Sequence, residues 1–223
     1  MAHLCSDADS VVACEHVRLL GVTISSDLSL HKHVSNICAK CFYWLRQLRR
    51  VRRSLDAEAA ATLVHVFVMS RVDYCNAVLA GAPNSVTNKL QRVLNAAARV
   101  VSGTRKYDRG LTILIHADLH WFDVPDRVTY KLGLLMHRCL QGPAPKYLID
   151  CCTPVSDVVG RQLLRSASRL QLVVPRHRLT TLGRRAFAVM GPTVWNSLPG
   201  DLRAQQNSDC FCRHLKTFLF SQY

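Results

Sequence analysis

The densest group of side chains able to do chemistry is His116-Ala-Asp118-Leu-His120-Trp-Phe-Asp123-Val-Pro-Asp126, with two imidazoles and three carboxylates in eleven residues. Such a set could ligate a metal ion or move protons in acid–base catalysis. Each member also has a structural role open to it. Asp123 can cap a helix, Pro125 can sit in its first turn, Asp126 can meet the positive end of the helix dipole, and His120 and Trp121 can pack. No distant residue stands out as the missing partner of a catalytic set, so the structural roles are the better reading.

The cysteines give two more groups. Cys38-Ala-Lys-Cys41 has the spacing of half a zinc site, but a closed site needs four ligands and no second pair completes it. Cys210-Phe-Cys212-Arg-His214 offers three ligands on one amphipathic segment and matches no closed zinc pattern. Packing is the better reading of both, and no metal or other cofactor is expected. The glycine-rich phosphate loops G-x-x-x-x-G-K-[ST] and G-x-G-x-x-G are absent, as is the G-x-S-x-G elbow. Two-metal phosphoryl chemistry wants closely placed carboxylates, yet no Asp-Asp pair occurs and only two of the 15 acids are Glu. No catalytic residue is assigned, and the chain as it stands reads as a non-enzyme.

Charge is the positive signal. The 29 Lys and Arg against 15 Asp and Glu give +14 at neutral pH, an excess that favours nucleic acid or another polyanion. With 49% hydrophobic residues the 223-residue chain can bury a core, so disorder is excluded by composition. The best apolar run, Ala59 to Met69, is interrupted by His65 and falls short of the ~20 residues of a membrane span. The first residues lack the order of a signal peptide. The expected setting is therefore intracellular, in nucleus or cytoplasm, without a membrane partner and with the ten cysteines as thiols.

The elements that must position the basic residues are mainly helical. Residues 17–30 read as a short strand, a turn around Ser25 to Asp27 and an exit. From His31 the apolar residues Val34, Ile37, Cys41, Trp44, Leu48, Val51 and Leu55 form an a/d seam along one helix. Arg46, Arg49, Arg50 and Arg53 lie on its opposite side with no acid among them. A second helix spans about Ala57 to Leu79, apolar nearly all round, and ends before Gly81 and Pro83. A third runs from a cap at Asn84 or Ser85 to Gly103, with Val86, Leu90, Val93, Leu94, Ala97 and Val101 inward and a polar stripe of Asn88, Arg92, Asn95 and Arg99. Short connections make these an antiparallel three-helix bundle.

The second half is expected to be helical with minor β elements. Arg105 to Gly110 is a basic loop, and a helix capped by Asp123 runs to Gly142. A short helix at Lys146 to Cys151 and a last amphipathic helix from Ser208 to about Phe220 follow, with β-rich pieces at Leu170 to Val174 and Arg185 to Met190 between them. From Val158 to Gly200 there is no acid but seven Arg, at 161, 165, 169, 176, 178, 184 and 185. Trp195 and Phe187 are expected in a packed core beside Leu198 and Phe218.

Four stretches together carry a family resemblance. They are Leu20-Gly21-Val22; Ser70-Arg-Val-Asp-Tyr-Cys-Asn76 with Leu90-Gln-Arg-Val-Leu-Asn-Ala-Ala-Ala-Arg99; Leu119-His-Trp121 with Ala144-Pro-Lys-Tyr-Leu148; and Leu164-Arg-Ser166, Val174-Pro-Arg176, Trp195-Asn-Ser-Leu-Pro199 and Leu215-Lys-Thr-Phe-Leu-Phe220. In that order residues 17–220 resemble the end of a reverse transcriptase from a non-LTR (LINE-type) retrotransposon. The chain departs at Phe122-Asp123, where the family usually continues Leu-Pro after Trp.

The resemblance implies that residues 1–30 are a palm remnant, with Leu20, Gly21 and Val22 on its last strand near the primer grip. It makes 31–103 the thumb and 104–223 the basic region that follows. It also implies that the palm carboxylates and upstream endonuclease of an intact relative are missing, so that Met1 begins a truncated copy. The expected function is binding of RNA or an RNA–DNA hybrid through Arg46, Arg49, Arg50, Arg53, Arg92 and Arg99. The alternative is a helical protein-interaction module, or an unselected remnant, whose palm strand lacks its sheet.

Overall fold

The computed structural model describes residues 3–6, 9–12, 14–105, 107–160, 162, 165–178 and 182–223. Arg161 and Leu164, used above, lie outside the described residues. The chain is mainly α-helical with minor β structure.

Two antiparallel hairpins come first, β1 (His3–Ser6) with β2 (Asp9–Val12) and β3 (His16–Leu19) with β4 (Val22–Ser25). The single strand expected over this region is thus folded in two. Leu20 and Gly21 form the connection with φ of 46° and 83°, the pair of positive values that a two-residue I′ turn needs. The φ of 83° is what favours glycine at the second position, which lies against the Tyr74 ring. The strand is not without a partner either, because β4 pairs with β3 and packs on the first helix, burying Val22 and Ser25. The expected turn after it is present, closed by the Leu28 N–H on the Ser25 carbonyl at 2.8 Å.

α1 (His31–Val51) buries His33, Val34, Cys41, Leu45 and Leu48. These positions drift from the a/d seam because a straight helix repeats every 3.6 residues, not 3.5. Leu45 takes an inward place that the seam had given to Trp44, which is half-buried and stacked on Phe67 at 4.4 Å. Val51, the sixth seam residue, is 48% exposed, and the helix ends there. A single tight turn, Arg52–Ser54, leads to the return helix.

That return helix is interrupted. α2 (Ala57–Val64), capped by Asp56 on the Ala59 N–H at 2.6 Å, passes into a π-turn, His65–Met69, and then α3 (Ser70–Asp73). The expected helix to Leu79 stops at Asp73. Cys75 adopts a left-handed φ of 52°, and a 3₁₀ turn covers Asn76–Leu79. An apolar surface on all sides gives no phase from which such a wide turn could be read.

α4 (Asn84–Ser102) buries every residue expected inward from Val86 to Val101 and ends at Gly103 with φ 74°, but its N-cap position is Pro83 and neither Asn84 nor Ser85 caps it. It runs in the direction of α1. Lys89 reaches Ser35 at one end, and Arg52 reaches Val100 and Val101 at the other. The three rods therefore alternate up, down and up around one core.

The rest packs against this bundle. α5 (Leu111–Ile113) opens into a π-turn at Leu114–Asp118, and α6 (Val124–Gln141) inserts Val124, Val128 and Leu132 into the bundle core. α7 (Lys146–Ile149), α8 (Arg165–Ser168), α9 (Phe187–Ser197), α10 (Gly200–Arg203) and α11 (Ser208–Phe220) complete the order. The short helix expected to reach Cys151 ends at Ile149.

The β piece expected at Arg185 to Met190 is instead a 3₁₀ turn, Gly183–Arg185, followed by α9. Phe187, Met190, Val194 and Trp195 follow helical spacing, and that contact with α6 wins over the local alternation. Of the β piece expected at Leu170 to Val174, Leu172 makes an isolated bridge to Pro154, while Leu170 is in a turn with a left-handed φ of 54°. Trp195 is 2% exposed and centres a second core with Leu198, Phe211 and Leu215, while Phe187 and Phe218 pack half-buried against it. Its indole N–H donates to the Leu170 carbonyl at 2.9 Å.

Candidate nucleic-acid interface

Because α1 and α4 run side by side and end together, their last turns form the two walls of one cleft. Arg49 and Arg50 lie in the last turn of α1 and Arg99 in that of α4. Cations are favoured there because the helix carbonyls carry partial negative charge. The cleft has a volume of about 650 Å³ and is lined by Arg49, Arg52, Arg53, Arg99 and Arg105 with small neutral residues between them. Among the described residues no acidic side chain lines it.

The five arginines are not equivalent. Arg52 is committed to the fold: its Nε donates to the Val100 carbonyl at 2.7 Å, Nη2 to Val101 at 2.8 Å and Nη1 to Leu55 at 2.8 Å. It thereby caps the last carbonyls of α4, which have no partner within the helix. Arg99 is half-buried; its Nη1 donates to the Asn95 carbonyl at 3.5 Å, while its buried Nε makes no hydrogen bond. Arg49 and Arg53 are exposed. The turn carrying Arg105 is pinned by its N–H on Asp108 Oδ2 at 2.6 Å.

Of the six arginines named from the sequence, the structure brings Arg49, Arg53 and Arg99 into this cleft. Arg46 and Arg50 are exposed on the same side of α1 but outside it, and Arg92 is exposed two turns back on α4. Arg52 and Arg105 were missed. Arg105 stood in a loop already read as basic. Arg52 was hidden by the seam, which gave the inward places to Val51 and Leu55, whereas the helix ends at Val51 and turns Arg52 inward.

Of Leu20, Gly21 and Val22, Gly21 alone lines a second basic hollow, of about 470 Å³, on the other flank of α1. Arg18, Lys40, Arg71 and His33 line it around the Tyr74 ring. The Tyr74 hydroxyl donates to the Leu20 carbonyl at 2.7 Å and so fastens the hairpin to α3. His33 is 5% exposed, and its Nδ1 accepts from the Thr23 N–H at 3.3 Å. Burial lowers its pKa below the usual histidine value.

The His116–Asp126 cluster is held by structural bonds. His116 Nδ1 donates to the Trp121 carbonyl at 2.9 Å, leaving Nε2 3.8 Å from Asp123 Oδ2. The Tyr223 ring stacks on His116 with centroids 3.6 Å apart, and its hydroxyl accepts from the Asp123 N–H and donates to Asp126. Burial, then the bond to Asp126, raises the Tyr223 pKa. Asp123 was expected to cap α6, but its side chain makes no capping bond. Gln91 of α4 caps it instead, accepting from the Val124 N–H at 2.9 Å while its amide donates to Asp123 Oδ1 at 2.6 Å. His120 and Asp118 are exposed.

Among the described residues no group of three or more His, Cys, Asp or Glu is placed to hold a metal ion. Cys41 is buried in the bundle core, which pushes its thiol pKa up to about 12, and Cys38 is raised by burial too. Among the described residues no helix is long and apolar enough to cross a membrane. Comparison of the chain with family models, with curated proteins and with solved structures finds no match.

Proposed function

We propose that the chain grips RNA or an RNA–DNA duplex through the arginine side of α1 and the cleft at its end, and that it does so without catalysing a reaction. The observation that carries this reading is the cleft: five arginines, no acid, and a buried guanidinium Nε without a hydrogen-bond partner. Guanidinium groups held together repel one another, and phosphate oxygens neutralise them with paired N–H donors. From Arg46 to Arg53 the axis advances by roughly 10 Å, about the rise of three base pairs. Contacts of this kind fix position on a backbone without reading bases, so little sequence preference follows.

The resemblance to the thumb and following region of a non-LTR reverse transcriptase supports the same reading, since a thumb lies along the template–product duplex. On that view the palm carboxylates belong to the polymerase core of an intact relative. Fluorescence anisotropy with a labelled RNA–DNA hybrid tests the proposal. The triple variant R49Q/R53Q/R99Q is expected to bind at least about tenfold more weakly than the parent at low salt. Unchanged affinity with an intact fold would remove the reading.

A protein-interaction module is the second reading, and one observation favours it. On the β3–β4 hairpin Val17, Leu19 and Leu20 are 58%, 58% and 82% exposed. If that surface serves a protein partner, Leu19→Ser with Leu20→Ser abolishes capture of that partner and leaves hybrid binding intact.

A further inference from the structure

We propose that a second cleft, between α3 and α6 and flanked by α11, binds a nucleoside monophosphate, either free or as the end of a strand. This goes beyond the phosphate-backbone reading above and rests on different residues. The cleft has a volume of about 390 Å³, within the range of small-molecule sites.

Its walls are fixed. Arg127 of α6 holds both oxygens of Asp73 from Nη1, at 2.9 and 2.8 Å, and its Nε donates to the Phe122 carbonyl at 2.9 Å. That pairing joins the end of α3 to the start of α6, and it neutralises the one carboxylate in the lining. The charge left over is positive, from Lys131 of α6 and Lys216 of α11, both exposed at the mouth.

The interior differs from the arginine cleft in two respects. Phe122, 8% exposed, and half-buried Tyr130 give it an aromatic floor, with ring centroids 5.8 Å apart. Asn76, 5% exposed, lines the cleft and has a buried Oδ1 that makes no hydrogen bond. Buried side-chain oxygens nearly always have a partner, so an orphan acceptor in a cleft wall is a place for a ligand N–H. An anion that also carries a flat ring and an N–H donor satisfies all three features. A nucleobase supplies the ring and the N–H, and the 5′-phosphate supplies the charge for Lys131 and Lys216. Inorganic phosphate satisfies only the last.

Isothermal titration of the full chain with GMP, guanosine, inorganic phosphate and a 5′-phosphorylated oligonucleotide tests this. GMP is expected to bind with a Kd of about 10 μM to 1 mM, and more tightly than guanosine or phosphate. K131Q/K216Q should weaken GMP at least about tenfold and leave guanosine unchanged. Asn76→Leu should weaken GMP and guanosine alike. If that variant melts early by circular dichroism, the lysine pair carries the test alone. Whichever of GMP and the oligonucleotide loses more affinity in K131Q/K216Q names the source. The proposal is overturned by no binding at about 5 mM GMP, by phosphate binding as tightly as GMP, by unchanged GMP affinity in K131Q/K216Q, or by an equal loss in R49Q/R53Q, which would move the nucleotide to the arginine cleft.

Discussion

Arg52→Leu separates an arginine that holds the fold from arginines that hold a ligand. Arg52 makes three bonds to main-chain carbonyls, at 2.7, 2.8 and 2.8 Å, tying the end of α1 to the end of α4 and to Leu55. A charged hydrogen bond contributes about 1.5–3 kcal/mol when well enclosed. Here the side chain is half-buried, so water replaces part of the loss and leucine restores some apolar packing. About 2–4 kcal/mol is the expected net destabilisation. With a urea m-value of about 2–3 kcal/mol/M for a chain of this size, the unfolding midpoint falls by roughly 0.7–2 M. Urea titration followed by circular dichroism reads that shift. Because its donors are committed to carbonyls, Arg52→Leu should also leave the salt dependence of hybrid binding nearly unchanged under conditions where the variant is folded. A midpoint that moves by less than about 0.2 M, or a slope that flattens as much as in R49Q/R53Q, would refute the division of labour.

Other outcomes follow from single sites. Trp195→Ala should cost about 3–5 kcal/mol, read by the same titration, since the indole is 2% exposed and hydrogen-bonded to Leu170. Cys41 and Cys152, both with thiols pushed up to about 12 by burial, should resist alkylation at pH 8 in the folded chain and react once urea unfolds it. His33 has a folded pKa below its unfolded value, so the unfolded state binds more protons in that window. Stability from this site is fully present above the unfolded pKa and is lost as pH falls through the folded pKa. The urea midpoint should therefore drop between pH 7 and pH 5, and drop less in His33→Asn. The purified chain should incorporate no nucleotide on a primed RNA template; magnesium-dependent incorporation above a mock preparation would show a metal site that the described residues do not form.

Helix positions were legible wherever one face is apolar and the other polar. α4 and α11 match their expected spans because their stripes have a definite phase and Gly103 and Asn207 mark their ends. The helix expected at 57–79 carried no such phase, and a left-handed Cys75 that no sequence rule foretells ended it early. Leu20-Gly21 looked like strand interior because leucine at positive φ is unusual, yet the glycine beside it and Tyr74 above it make the turn. The exposed arginines of the site could be read from helical spacing alone. That Arg49 and Arg53 face Arg99 could not, since it depends on α1 and α4 running parallel and ending level. Arg52 was legible least of all, because charge suggested solvent and the carbonyls it serves are 48 and 49 residues away.

The salt dependence of binding to an RNA–DNA hybrid tests the central claim most directly. Each phosphate engaged contributes roughly −0.7 to −0.9 to the slope of log affinity against log salt. R49Q/R53Q/R99Q should flatten that slope by about two to three units with helix content unchanged, while R169Q/R176Q/R178Q, three exposed arginines outside the cleft, should flatten it by less than about one. Equal flattening by both sets would mean that net charge alone attracts the polyanion, and an unaltered slope in the first set would contradict the account.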